Sequence, residues 1–367
     1  MLLKAQKDPG ATLPGSFTPS RIADMGDDAE CEFGRSAADA TTVSGDGGAR
    51  PGRPGPRERT VLRASDGVPI EAAYDPYEGG GRKQAPGAIV LAHGFSGSVD
   101  RPALRRAVQV FVQYGAVITF SFRGHGGSGG HSTVGDLEVL DLAAAVGWAR
   151  SLGHARVATV GFSMGGSVVV RHGALHRPEA HEGRTDAHPG TGHLGGAMGI
   201  SGSDDIGRPG DIGRSPGIGD AAGPARTHAD HSDAVVAVSA PARWYYRGTA
   251  PMRRLHWVIQ RPVGRLVSRY GLRTRIHPRD WDPVPLSPVA AAPLLAPTPL
   301  LVVHGDQDPY FPVDHPHSLA AAGDPDCTDL WLVEGFGHAE NAAGPALLHR
   351  IGSWVGDRWP APPDGPA

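Results

Sequence analysis

Short, continuously apolar runs alternate with helical patterns along most of this chain. The runs are GAIVLAHGF, AVITFSF, RVATVGFS, AVVAVSA, TPLLVVHGDQD and DLWLVEGFGH. Strands without a polar side are typical of a parallel sheet, because helices cover both of its faces. The stretches between the runs predict helices near 102–113, 137–150, 164–175, 315–322 and 343–354. We therefore predict an α/β fold with a mostly parallel eight-stranded sheet and helices on both faces.

Two long stretches lack this pattern. Residues 1–57 and 178–233 are rich in Gly, Pro and Asp and have no apolar periodicity, so they cannot bury enough apolar surface to fold. We expect the first to be a disordered tail, the second a disordered insertion in a surface loop, and 361–367 a further tail. The folded domain is then 58–360, and it begins with a hairpin of two strands around the turn Ser65–Gly67.

A segment with helical periodicity, 242–283, separates the insertion from the last two predicted strands. Pro262 stands where one helix would end and another begin. Two short helices there would form a small lid. Its apolar residues recur at steps of three or four and are Met252, Leu255, Ile259, Val263, Leu266 and Tyr270.

The same segment suggests how a substrate could be held. Trp244, Tyr245 and Trp257 could line an acyl pocket, or they could simply pack the lid onto the core. The stretch ARWYYRG to GLRTR also carries nine arginines, which could steer an anionic substrate or a lipid surface.

Charge and composition exclude several classes of function. The chain has 35 basic and 38 acidic side chains, a net charge of -3, so no global positive field attracts nucleic acid. No stretch has the length of a membrane span, and the start, MLLKAQKDPG, is not a secretory signal, so we expect a cytoplasmic protein. Cys31 falls in the expected tail, so we expect no structural disulfide with Cys327.

Histidines are frequent in the predicted insertion. The five are His181, His188, His193, His228 and His231. They could bind a metal ion, but their spacing forms no ligand pattern and no cysteine joins them. A solvated loop is the favoured interpretation, and we expect neither a metal nor a cofactor.

Ser163 is the candidate nucleophile. It is the centre of a Gly-x-Ser-x-Gly sequence, with Gly161 and Gly165 on either side, directly after a predicted strand and directly before a predicted helix. Such a strand-turn-helix projects the serine above the sheet at a helix N-terminus, where backbone amides favour developing negative charge. The alternative is a glycine-rich structural turn.

A nucleophilic serine needs a base, and the base needs an orienting carboxylate. Asp306 and Asp308 follow the apolar run TPLLVVHGDQD, and His338 follows DLWLVEGFGH. The chain order is thus Ser, Asp, His, and the carboxyl ends of parallel strands would bring the three to one edge of the sheet.

Taken together, the four motifs AHGFSGS, VGFSMGG, HGDQD and GFGHAEN, in this order, resemble those of the α/β-hydrolase family, over about Thr60 to Trp359. The resemblance extends to serine esterases, lipase-like proteins and monoacylglycerol-lipase-like proteins. It implies that Asp308, the second aspartate of HGDQD, is the catalytic acid. It also implies that the amides of Phe95 and Met164 hold the oxyanion.

The loop SFRGHGGSGG, which follows the run AVITFSF, resembles the Arg-Gly-His-Gly-x-Ser loop of the same family. Arg123 and His125 in this loop are expected to be structural.

We therefore expect a serine hydrolase that cleaves a small ester or lipid-like substrate through an acyl-enzyme and that needs no cofactor. One alternative is a thioesterase or acyltransferase with the same Ser163, Asp308 and His338. A second, from another class, is a binding protein with a hydrolase-like fold and no catalysis.

Overall fold

The computed structural model describes residues 57–79, 85–177 and 230–359. The predicted tails apart from Arg57, and the predicted insertion apart from 230–233, lie outside the described residues, as does Cys31. The predictions of disorder for 1–57, 178–233 and 361–367 therefore stay predictions.

The described residues form one sheet of eight strands in the order β1-β2-β4-β3-β5-β6-β7-β8. Strand β2 is antiparallel to β1 and to β4, and the remaining pairs are parallel. This confirms the predicted mostly parallel sheet and its opening hairpin. The strands are β1 (Glu58–Arg63), β2 (Pro69–Asp75), β3 (Ala88–Ala92), β4 (Ala116–Phe120), β5 (Val157–Phe162), β6 (Ala234–Val238), β7 (Leu300–Gly305) and β8 (Thr328–Val333).

Helices follow most strands, close to the expected positions. Prolines stand in the first turn of α1, α4, α5, α6 and α9, where the missing N–H breaks no helical hydrogen bond. The sequence patterns did not reveal the four-residue helices α6 and α8. The helices are α1 (Pro102–Phe111), α2 (Glu138–Ser151), α3 (Met164–Leu175), α4 (Ala250–Gln260), α5 (Pro262–Tyr270), α6 (Pro288–Ala291), α7 (Asp314–Ala322), α8 (Ala339–Ala342) and α9 (Pro345–Gly356).

The core lies in two layers, one on each face of the sheet. Alternate residues of β3 divide between them: Val90 belongs to the layer covered by α2 and α3, and Ile89 and Leu91 to the layer covered by α1 and α9. Every residue of β3 is buried, as in β4 to β7. The near-continuous apolar runs of the sequence have this two-sided burial as their cause.

None of the helices in the described parts of the chain is long and apolar enough to cross a membrane.

Arg123 organises the loop that follows β4. Its guanidinium, nearly fully buried, donates to the buried carboxylate of Asp141 on α2 at 2.7 Å and to Asp66 in the β1-β2 turn at 2.7 Å. Burial alone would lower the pKa of Arg123, but the hydrogen bonds and charges of Asp141 and Asp66 raise it above its ordinary value. His125 is also buried, and its Nδ1 lies 3.0 Å from the carbonyl oxygen of Arg123. Both side chains thus brace the loop.

Replacing Arg123 by methionine removes the cation and leaves the carboxyl group of Asp141, whose pKa burial already raises to about 7, buried without its partner. We expect Arg123→Met to lower the free energy of unfolding by about 3 to 5 kcal/mol, measured by urea titration. Arg63→Met is the matched control, since Arg63 is exposed and donates only to the carbonyl of Gly67, and it should change stability by less than about 0.5 kcal/mol. Equal effects of the two substitutions would contradict the bracing role.

Candidate active site

The predicted nucleophile, acid and base each follow the carboxyl end of a strand, and the three strands lie in the same half of the sheet. Ser163 directly follows β5, Asp308 lies in the loop after β7, and His338 lies in the loop after β8. The strand order places β5, β6, β7 and β8 side by side, so these loops emerge along one edge.

Ser163 occupies a sharp turn between β5 and α3. Its backbone has φ 50° and ψ -114°, a conformation that a residue with a side chain rarely adopts. The amide of Ser163 donates to the carbonyl of Val238 on the neighbouring strand β6 at 2.8 Å.

The two flanking glycines are required by the packing of this turn. A Cβ at Gly161 would lie 2.2 Å from the carbonyl oxygen of Gly165, and a Cβ at Gly165 would lie 2.2 Å from that of Ala92 at the end of β3. These contacts are with backbone atoms, which cannot move aside as a flexible side chain would. The Gly-x-Ser-x-Gly pattern therefore records a close approach of three backbone segments.

A continuous pair of hydrogen bonds joins the three side chains. His338 Nε2 lies 2.9 Å from Ser163 Oγ, and His338 Nδ1 lies 2.7 Å from Asp308 Oδ2. With the proton on Nδ1 donated to the carboxylate, Nε2 is free to accept the hydroxyl proton. This is the arrangement in which an imidazole can remove a proton from a serine.

The structure gives Asp308, the aspartate that the resemblance favours, and Asp306 different surroundings. Asp308 has a fully buried side chain, and its second carboxylate oxygen accepts from the amides of Tyr310 and Phe311 at 2.8 and 3.1 Å. Asp306 instead accepts from the amide of Gly335 at 2.7 Å and so fixes the turn before His338.

The surroundings of Asp308 keep it ionised. Burial opposes its charge, but the hydrogen bond and charge of His338, with the amides of Tyr310 and Phe311, lower the pKa of Asp308 below its ordinary value. His304 lies 3.6 Å from the same carboxylate, but burial lowers its pKa, and its Nε2 donates to the carbonyl of Phe311 at 2.8 Å. His338 is thus the direct partner of the Asp308 charge.

The residues expected to hold an oxyanion lie beside Ser163. Met164 is the first residue of α3, so its amide has no acceptor within the helix. Phe95 lies in the loop after β3, and Phe95, Ser163 and Met164 border the same cavity.

Two buried side chains, His93 and Glu340, hold the loop after β3 through hydrogen bonds to the backbone of Gly94. We call this loop the β3 loop. Burial lowers the pKa of His93 to about 3, so the ring is neutral; its Nδ1 donates to the Gly94 carbonyl at 2.6 Å and its Nε2 accepts from the Phe122 amide at 3.0 Å. On the other side, the amide of Gly94 donates to the buried carboxylate of Glu340 at 3.0 Å.

Glu340 and Ser239 are site residues that the sequence analysis missed. Glu340 lies two residues after His338 and connects the His338 loop to the β3 loop. Ser239, directly after β6, accepts from the amide of Ala339 through its hydroxyl at 3.0 Å. Both bind backbone amides of residues distant in sequence, so no local motif marks them.

An apolar cavity of about 90 Å³ opens on Ser163. Trp244 and Tyr245 are among the residues that line it, whereas Trp257 is not. The inner face of α4 is formed by Met252, Leu255, His256 and Ile259, at helical spacing, and this phase turns Trp257 to the outside, where it is 45% exposed. The expectation that Trp257 lines a substrate pocket is therefore corrected. The other lining residues include Val134, Ser167, Pro241, Tyr246, Trp281 and Phe311.

Among the residues that the structure describes, no group of three or more His, Cys, Asp or Glu side chains could hold a metal ion. His231 is described, and the other four histidines considered above lie outside the described residues.

The close contact at Gly165 gives a test of the turn. Gly165→Ala forces a Cβ against the Ala92 carbonyl and should lower the free energy of unfolding by about 3 kcal/mol and abolish labelling of Ser163 by a fluorophosphonate. The control is Gly356→Ala at the end of α9, where the nearest atom would be 3.9 Å away. A Gly165→Ala protein as stable and reactive as the control would contradict the packing described here.

Glu340 is a positioning residue, because it acts through the amide of Gly94. Glu340→Ala removes the acceptor that holds the β3 loop and should slow fluorophosphonate labelling of Ser163 by about tenfold to a hundredfold. Glu340→Gln keeps an oxygen acceptor and should retain most of the labelling rate. Thermal unfolding of both proteins checks the fold, and equal loss in the two variants would contradict a role through the hydrogen bond.

Comparisons with known proteins agree with the fold described above. A model described as the alpha/beta hydrolase family matches residues 89–352. No curated protein matches the sequence. An esterase from Pyrococcus furiosus superposes with a TM-score of 0.52 and 18% identity, over 83% of this chain and 91% of that one. An alpha/beta hydrolase from Penicillium sp. sh18 superposes with a TM-score of 0.53 and 14% identity, over 83% and 99%. At these identities the superpositions show a shared fold.

Proposed function

Because this chain belongs to the alpha/beta hydrolase family, we propose that it is a serine hydrolase that cleaves carboxylic esters through an acyl-enzyme. The observation that carries the proposal is the pair of hydrogen bonds from Ser163 Oγ through His338 to Asp308, at 2.9 and 2.7 Å. A structural serine has no need of a base aligned on its hydroxyl, whereas a nucleophile does.

Acylation follows from this geometry. Ser163 Oγ attacks the ester carbonyl carbon while its proton passes to His338 Nε2. Asp308 remains a carboxylate and stabilises the imidazolium through Nδ1. The negative charge of the tetrahedral intermediate is held by the amides of Phe95 and Met164. When the carbon–oxygen bond to the leaving group breaks, His338 returns the proton to the departing alcohol.

Deacylation repeats these steps with water. His338 Nε2 accepts a proton from water, whose oxygen attacks the acyl carbon and forms a second tetrahedral intermediate. Its collapse breaks the bond to Ser163 Oγ, which recovers its proton from His338. The acid is released, and the three side chains return to their starting protonation states.

The lining of the cavity favours an apolar acyl group. Aromatic and aliphatic side chains of Phe95, Trp244, Tyr246 and Met252 surround the opening above Ser163. Helix α4 contributes to this lining, so the α4-α5 pair serves as the small lid that the sequence suggests. The proposed substrate is a small ester or a lipid-like molecule with a compact acyl chain.

Activity-based labelling is the direct test. The wild-type protein should be labelled by a fluorophosphonate and should hydrolyse short p-nitrophenyl esters, and Ser163→Ala should lose both. We expect a loss of turnover of about a millionfold, limited by background hydrolysis. Mass spectrometry of the labelled protein should place the adduct on Ser163.

Ser353→Ala is a matched serine control, since Ser353 is exposed on α9 and does not line the cavity, and it should still be labelled at Ser163. Equal labelling of wild type and Ser163→Ala would refute the assignment. A burst of nitrophenol followed by very slow turnover would instead identify an acyltransferase, because the acyl-enzyme would then await an acceptor other than water.

A further inference from the structure

Helix α5 buries small residues and exposes large apolar ones, which is the reverse of an ordinary surface helix. Its buried residues are Gly264 and Ser268, whereas Val263, Leu266 and Tyr270 are 63%, 57% and 72% exposed. The three apolar residues are spaced by three and four, so they lie on one face. A helix that only covered a core would turn this face inward.

The inverted packing has a steric cause. A Cβ at Gly264 would lie 2.6 Å from the carbonyl oxygen of Trp257 and 2.6 Å from the Cα of Val258, so α5 contacts the backbone of α4 directly. Only a glycine allows this approach. The large side chains of α5 have no place in the contact and point away from it.

Helix α4 also exposes a large apolar side chain, with arginines beside it, on its outer side. Its inner residues line the cavity above Ser163, and Trp257 lies on the opposite face, flanked along the helix by the exposed Arg253 and Arg254. We define the outer face of the lid by six exposed residues: Trp257, Arg261, Val263, Leu266, Arg269 and Tyr270.

The charge of this region is entirely positive. From Ala234 to Arg279 the sequence has ten arginines and neither Asp nor Glu, in a chain whose net charge is -3. Among the described residues, the ion pair that includes one of these arginines joins Arg243 to Asp314, outside the two helices. The arginines of α4 and α5 therefore lack an acidic partner within the described structure.

We propose that the outer face of the lid docks on an anionic phospholipid surface. Apolar side chains on one side of a helix and arginines beside them fit the boundary between acyl chains and charged headgroups. The headgroup phosphates supply the negative charges that the described part of the chain does not, and Val263, Leu266 and Tyr270 enter the apolar layer.

The apolar residues favour a membrane over other anionic partners. Nucleic acid would be bound through the arginines alone, since phosphate contacts dominate such complexes. Exposed valine and leucine at the centre of the face gain nothing from a phosphate backbone. Docking by this face also leaves the inner side of α4, and so the cavity, unchanged.

Vesicle sedimentation with the full-length Ser163→Ala protein tests the proposal independently of any hydrolysis. The probes are vesicles of phosphatidylcholine alone and of equal parts phosphatidylcholine and phosphatidylglycerol. We expect binding to the anionic vesicles and not to the neutral ones. The affinity should fall when salt is raised to about 1 M, because exposed charges are then screened.

Two sets of substitutions separate charge from apolar contact. Arg254, Arg261 and Arg269 changed together to Gln should weaken binding about a hundredfold, with Arg63, Arg101 and Arg106 changed to Gln as the control. Val263→Ser with Leu266→Ser should weaken it about tenfold, with Val61→Ser and Leu332→Ser as the control, since these are also exposed. Thermal unfolding verifies that each protein is folded.

The expected result is loss of binding in the two lid variants and wild-type binding in both controls. Equal binding of lid variants and controls would overturn the proposal, as would equal binding to neutral and anionic vesicles. Capture of duplex DNA or an acidic peptide without binding to anionic vesicles would also overturn it, and would assign the arginines to that partner.

Discussion

The backbone turn at Ser163 is the constraint on which the site depends. A residue with a side chain at φ 50° and ψ -114° costs about 1 to 3 kcal/mol, and it persists only where the surroundings determine it. Here Gly161 and Gly165 let the end of β5, the start of α3 and the end of β3 meet backbone to backbone. Because α3 is buried along nearly its whole length, its packing holds the turn in place. The backbone of Ser163 is thereby fixed at the end of the sheet by the packing of the turn, and its hydroxyl is held within reach of His338.

A backbone conformation with positive φ recurs along this edge of the sheet. Ser163, Ser239 and Ala339, which follow β5, β6 and β8, have φ values of 50°, 50° and 53°. Each donates its amide sideways: Ser163 to Val238, Ser239 to Val303, and Ala339 to the hydroxyl of Ser239. The residues that follow β5 and β6 and the start of α8 are thus tied to neighbouring segments. This lateral bonding explains how His338, on a loop, can meet Ser163 at hydrogen-bond distance.

Much of the fold could be predicted from the sequence because two-sided burial leaves a strong signal, the repeated apolar runs. The turn at Ser163 could be expected for a related reason, since its two glycines are required locally. Glu340 could not be found in this way: its partner, the amide of Gly94, is 246 residues away and leaves no pattern in either segment. The prediction for Trp257 failed although the sequence held the information needed. Met252, Leu255 and Ile259 recur at helical spacing, and that spacing places Trp257 on the opposite face of α4. The apolar spacing of the sequence continues past Pro262, but the structure begins a new helix there. The contact at Gly264 decides which face of this helix is buried, and it leaves Val263 and Leu266 exposed.

The α4-α5 pair presents two different faces, one towards the cavity and one towards solvent. Burying a valine, leucine or tyrosine side chain contributes about 1.5 to 3 kcal/mol, and α5 forgoes this for three residues. It can do so because the α4-α5 contact is made by backbone and small residues, so the pair is held together without those side chains. The inner face of α4 then lines the cavity above Ser163, and the large apolar side chains of the outer face are exposed. Apolar side chains kept in water against this energetic cost, beside arginines without acidic partners among the described residues, fit the proposed docking on a surface that is apolar within and negative at its boundary.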